Sequence, residues 1–179
     1  MNIESPFESM DPMQHARRSL LSTVLALAAA AVFVIVTSAG LPEVVASHFD
    51  ASGVPNGFMP RPAYVAVTLA IVVGVPLLLM LPLYLASSGS GSRLNLPNKG
   101  YWLGPERRAE TVAYLRRQAH LFSVAVCMFA SYVHWLVVGA NGRQPPQLSS
   151  SALRVAVAVL LAAMVIWLAA LYRHFKRGV

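Results

Sequence analysis

Charge is scarce in this chain: 12% of its 179 residues are Asp, Glu, Lys or Arg, while 56% are hydrophobic. That balance is far more apolar than an ordinary soluble domain and points to a membrane protein. Acids are the scarcest, seven in all. Paired carboxylates, a nucleophile with a histidine base and a zinc-binding His-Glu-x-x-His helix are missing, as are glycine-rich phosphate loops. No enzyme is expected, and no catalytic residue, metal or cofactor. One cysteine, Cys127, excludes an internal disulfide and leaves the redox compartment open.

What the chain has instead is four apolar runs, Ser19–Ala39, Ala63–Ala86, Leu121–Ala140 and Ala152–Tyr172. Each is long enough for the roughly 20 helical residues that cross a bilayer. The only Asp, Glu, Lys, Arg or His within them are His134 and, at a margin, Arg154. Hydrocarbon offers no partner to backbone groups, so an isolated spanning run must be helical, and none of the four alternates with period two. The expected fold class is all-α: an integral membrane four-helix bundle with a structured outer loop and a cytoplasmic amphipathic helix. Residues 1–18 read as a short, loosely ordered tail and 19–179 as a single membrane domain. Arg17 and Arg18 before the first run and Thr37-Ser38-Ala39 after it are also the flanks of a secretory signal. Its length and the three later spans make an anchor the expectation.

The net charge of +7 would suit nucleic acid, but the basic residues are sorted by loop. Arg17, Arg18, Arg93, Lys99, Arg107, Arg108, Arg116, Arg117, Arg173, Lys176 and Arg177 fall on one side of the four spans, and only Arg61, Arg143 and Arg154 on the other. The bias places both termini and the middle loop in the cytoplasm of a bacterial inner membrane. Anionic headgroups, at about 1 kcal/mol per nearby basic residue, are the expected partner of that surface, and nucleic acid is not.

The loop Gly40–Pro62 is rich in turn formers, and Asp50–Gly53 followed by Pro55–Gly57 reads as two consecutive reversals. Pro76, behind Gly74, predicts a kink in the second span, and Ser87–Ser92 reads as a flexible linker. In "RLNLPNKGYWLGPERRAETVAYLRRQ", Gly104-Pro105-Glu106 is a good helix start. That helix is expected to reach Gln118 and can continue into the third span. Ala109, Val112, Ala113, Leu115 and Ala119 share one side, as on a helix lying among headgroups, with Tyr101 and Trp102 at the aromatic belt.

His48 and Asp50 stand two apart, a ligand-like spacing in an extended segment, and His134 could add a third donor from below. An ionisable residue inside the bilayer is a functional candidate by default. A single neutral histidine hydrogen-bonded between helices is the commoner arrangement and the one expected.

Two stretches resemble a known family. "LPEVVASHFDASGVPNGFMPR" is similar to the signature of the bacterial membrane family called domain of unknown function 1648, through Leu41, Pro42, His48, Phe49, Asp50, Gly53, Asn56 and Gly57. A subset of that family has a second stretch similar to Asn95, Pro97, Asn98, Tyr101, Trp102, Pro105, Glu106, Arg107 and Arg108. The same domain forms the N-terminal part of SdpI-like immunity proteins, which have more spans and often a lysine or tryptophan where this chain has Met59-Pro60-Arg61. The resemblance implies a binding, sensing or immunity-like role, by analogy, with a membrane or cytoplasmic protein as possible partner. The alternative from the residues is a small transporter, or a subunit of one, with a pathway near Pro76 and His134.

Overall fold

The computed structural model of the chain describes residues 12–87 and 93–176. The expected linker past Ser87 and the start of the expected tail lie outside them. Four helices are long and apolar enough to cross a membrane, Arg17–Ser38, Arg61–Ser87, Arg108–Asn141 and Ser150–Lys176, with mean hydropathies of 2.0 to 2.6. They contain the last three runs read from the sequence whole and the first but for its final residue, Ala39, and each helix exceeds its run at one end or both.

The first helix, α1 (Pro12–Ser38), starts inside the stretch expected to be an irregular tail. The second span is α2 (Arg61–Leu69), a π-helical turn (Ala70–Gly74) and α3 (Val75–Ser87). Pro76 cannot donate the usual backbone bond to residue 72 and its ring crowds that carbonyl. The chain answers by widening one turn rather than breaking: the Val75 amide reaches back five residues to Ala70 O. The expected kink is therefore a π-turn just ahead of the proline. Ser123 Oγ, from the third span, donates to Pro76 O at 3.0 Å.

The loop between the first two spans adds a small sheet to the expected helical bundle. Its residues form a two-stranded antiparallel hairpin, β1 (Val44–Phe49) and β2 (Pro55–Pro60). Only the first of the two expected reversals exists, since Pro55-Asn56-Gly57 begins β2. Composition made that tripeptide look like a turn, but one reversal at Asp50–Gly53 already brings the strands together.

A short helix, α4 (Lys99–Trp102), precedes α5 (Arg108–Asn141), an unbroken helix of 34 residues. The stretch expected as a surface helix from Pro105 is instead a turn followed by the opening of α5. Its Thr111 and Leu115 are buried, so that opening packs against protein rather than lying free. The last helix, α6 (Ser150–Lys176), leans on α5 through stacked Phe122 and Trp167, 5.2 Å apart, and through Trp167 Nε1 donating to Gln118 Oε1 at 2.8 Å.

The core has three storeys. Leu41, Val45, Tyr64, Val137, Ala140 and Leu148 pack under the hairpin. Leu27, Ala30, Val34, Val72 and Cys127 fill the middle of α1, the second span and α5. Leu94, Leu115 and Phe175 close the end opposite the hairpin.

Candidate functional site

The turn of the hairpin is built around one carboxylate. Asp50 Oδ1 accepts from Ser52 N at 2.8 Å, Ser52 Oγ at 2.6 Å and Val54 N at 3.0 Å, while Gly53 N donates to Asp50 O at 3.0 Å. The Ser52 hydroxyl, then the Val54 amide, hold the carboxyl below its ordinary range. Gly53 sits at φ +87, which a side chain would strain, and its carbonyl accepts from Leu148 N at 2.9 Å, docking the turn on the loop before α6.

Two further clamps hold the strands. Asn141, at the end of α5, accepts from Ala46 N at 2.9 Å and donates to Ala46 O at 3.0 Å, completing the outer edge of β1 as another strand would. Arg61 Nη1 donates to Ala39 O at 3.1 Å and Leu41 O at 3.0 Å, tying the end of α1 to the start of α2. Phe49 packs into the storey below, whereas His48 and Asn56 are exposed. His48 Nδ1 lies 3.1 Å from Ser47 Oγ. Gly57 pairs with His48, and a Cβ there would stand 3.0 Å from that histidine's own. The carboxylate is thus committed to its turn, and the described residues hold no cluster of three metal-ligating side chains, so His48, Asp50 and His134 do not form the ligand set their spacing allowed.

Below the hairpin His134, 2% exposed, lies between two helices. Its Nδ1 is 2.8 Å from Tyr64 OH of α2 and its Nε2 is 2.7 Å from Thr37 Oγ1 of α1. The Thr37 hydroxyl donates to Phe33 O at 2.7 Å, so with its one hydrogen spent it accepts from the imidazole. Hence Nε2 carries the ring proton and Nδ1 accepts from Tyr64.

Fourteen residues earlier on α5 the arrangement recurs with the two nitrogens exchanged. His120 Nδ1 is 2.9 Å from Thr23 Oγ1 and its Nε2 is 2.7 Å from Tyr84 OH, while Thr23 donates to Ser19 O at 3.0 Å. Each layer is a Tyr–His–Thr–carbonyl chain running from the second span through α5 to α1. The layers stand about 21 Å apart along α5 at 1.5 Å per residue, with the apolar middle storey between them. Sequence reading found His134 but not His120, whose neighbours Arg116, Arg117 and Gln118 made its segment look extramembranous. The signal was there: Thr23 and Thr37, like His120 and His134, are separated by 14 residues, which brings them back to one face of a helix.

A cavity of about 370 Å³ opens between α2 and α5 under the hairpin. Ser47 and His48 stand on its hairpin wall, Tyr64 and His134 on another, and Val67, Ile71, Phe129 and Val133 make most of the rest. With the tyrosine and histidine already bonded, what remains to a guest is chiefly apolar.

The second polar stretch folds as a bracket at the opposite end. Asn98 adopts a left-handed conformation, φ 52, and its carbonyl accepts from Tyr101 N at 2.9 Å, starting α4. Trp102 Nε1 donates to Phe175 O at 3.0 Å and Trp102 O accepts from Thr111 Oγ1 at 2.9 Å, joining α4 to the ends of α6 and α5. Arg107 lies over the Tyr101 ring at 4.2 Å. Asn95 and Pro97 lie in the segment before α4, Pro105 and Glu106 in the exposed turn after it, and Arg108 opens α5. The two family-like stretches are therefore separate sites, not one.

Spans, hairpin and buried hydrogen-bond layers together define a multi-pass membrane protein. Residues 24–74, from within α1 through the hairpin to the π-turn, match the family model of the domain of unknown function DUF1648. The stretch that carries the hairpin resemblance lies within the matched segment. No curated protein and no solved structure matches the chain.

Proposed function

We propose that this is a non-catalytic binding protein of the bacterial inner membrane, its hairpin facing outward and its termini and α4 bracket in the cytoplasm, which senses or neutralises a peptide or other envelope signal. The reading rests on one observation above all. The hairpin is locked to α5 and the loop before α6, yet it leaves Val44 and Phe58, each 59% exposed, on its surface. A rigid exposed apolar patch rimmed by polar groups is costly as mere connection and suited to recognition. The analogy with immunity proteins supports the same role, and the basic bracket, with Lys99 and Arg107, suits anionic headgroups or a cytoplasmic partner.

Deleting the gene is expected to sensitise cells to envelope-active peptides, with rescue by the intact chain and not by Phe58→Ser. Unchanged survival across a broad peptide panel would count decisively against this role.

A transport reading has one observation in its favour: the π-turn and Pro76 interrupt the second span between the two histidine layers, as broken helices do in transporters. Substrate-driven flux into proteoliposomes that disappears in His134→Ala would establish it over binding.

A further inference from the structure

A second recess, of about 470 Å³, runs between the end of α1 and the start of α2, away from the cavity beneath the hairpin. Its lower walls are apolar, with Ile35 on α1 and Val65, Ala66 and Leu69 on α2. Its head end has the opposite character. Arg61 spends Nη1 on two carbonyls and meets no carboxylate among the described residues. Ser38, which also lines the recess, is 2% exposed and its hydroxyl has no hydrogen-bond partner.

The start of α2 adds to this polarity. Pro60 at the N-cap supplies no side-chain acceptor, and Arg61 N is used by Glu43 O. Pro62 has no N–H, so the amide of Ala63 is the open donor of the first turn, at the positive end of the helix dipole. A guanidinium, an orphaned hydroxyl and a bare helix start at one end of an apolar trough match an anionic head on a hydrocarbon tail.

We propose that this recess holds one anionic phospholipid of the hairpin-side leaflet, with its phosphate at Arg61, Ser38 and the start of α2 and an acyl chain along Ile35, Val65 and Leu69. A free phosphate would satisfy the head alone, and the apolar trough beneath it selects the lipid. The site is separate from the hairpin surface, so it stands or falls independently of the role proposed for that surface.

The test is native mass spectrometry of the full chain released from nanodiscs of mixed phosphatidylcholine and phosphatidylglycerol. One phosphatidylglycerol is expected to remain per chain. Arg61→Gln should lower its retention about tenfold, the worth of a charged hydrogen bond, and Arg61→Lys should restore most of it. Because Arg61 also ties down α1, Ala66→Phe provides a second variant: it fills the trough from an exposed position and leaves the guanidinium alone, and it too should empty the site. Inorganic phosphate should not displace the lipid. Equal retention of the two lipids, retention unchanged in either Arg61→Gln or Ala66→Phe, or displacement by phosphate overturns the proposal.

Discussion

A hydroxyl or imidazole nitrogen stranded in hydrocarbon has no water to fall back on, which is why His134 and His120 each have both ring nitrogens occupied. His134→Leu fills much of the space but leaves Tyr64 OH without its acceptor and Thr37 Oγ1 without its donor. It should cost about 1–3 kcal/mol, read as a lower unfolding free energy in detergent micelles. Thr37→Val removes one bond between helices, to His134 Nε2, along with the local bond to Phe33 O, and should cost nearer 0.6 kcal/mol, roughly the average for a bond between membrane helices. A larger loss in the valine variant than in the leucine variant would show that the chain does not run from Tyr64 through His134 to Thr37. The turn makes a different demand. Asp50 is held below its ordinary range, so its contribution to the turn is complete above the unfolded carboxyl value and is lost as pH falls through the lower folded value. Amide exchange at Ser52 and Val54, both bonded to that carboxylate, should therefore lose its protection in acid and approach the intrinsic rate. In Asp50→Asn it should already be fast at neutral pH.

An exposed strand edge invites mispairing, and β1 avoids it by giving Ala46 N and O to the amide of Asn141. Asn141→Ala strips both partners at once and should cost about 1–3 kcal/mol. The loss should be concentrated in faster hydrogen exchange across β1 and β2, with the interior of α5 unchanged. Gly53→Ala strikes the same hairpin from its turn: φ +87 is unfavourable for a side chain, and the new Cβ would run into Leu148 O. A destabilisation of roughly 1–2 kcal/mol or more is expected from the backbone conformation alone, and thermal unfolding would measure it. The Asn141 clamp could not be read from the sequence. "VVASHF" continues an apolar pattern, "PNG" carries turn composition although it is extended, and Asn141 lies 95 residues from its partner in β1. Local chemistry was legible where it is local, at Asp50, Ser52 and Gly53. It failed where long-range pairing decides conformation.

Four apolar runs in 179 residues announced the spans of the whole molecule, because hydrocarbon imposes length and helicity on any segment within it. The same logic hid half of the buried polar system, since His120 is named by its partners Thr23 and Tyr84 and not by its neighbours in sequence. Span number also fixes a relation that needs no knowledge of ligands. The hairpin joins the first and second spans and α4 joins the second and third, so Ser52 and Lys99 must lie on opposite sides of the membrane. The sorting of basic residues, eight of which stand at Arg17, Arg18, Arg93, Lys99, Arg107, Arg108, Arg116 and Arg117 on the α4 side of the first three spans, predicts that this side is the cytoplasmic one. The one native cysteine is buried in α5, so single cysteines can be introduced against a quiet background. In intact cells a membrane-impermeant maleimide should label Ser52→Cys and leave Lys99→Cys unlabelled until the membrane is opened. The reverse pattern would turn the hairpin toward the cytoplasm and remove it from contact with envelope signals, while labelling of both in intact cells would mean that fewer than four of these helices cross.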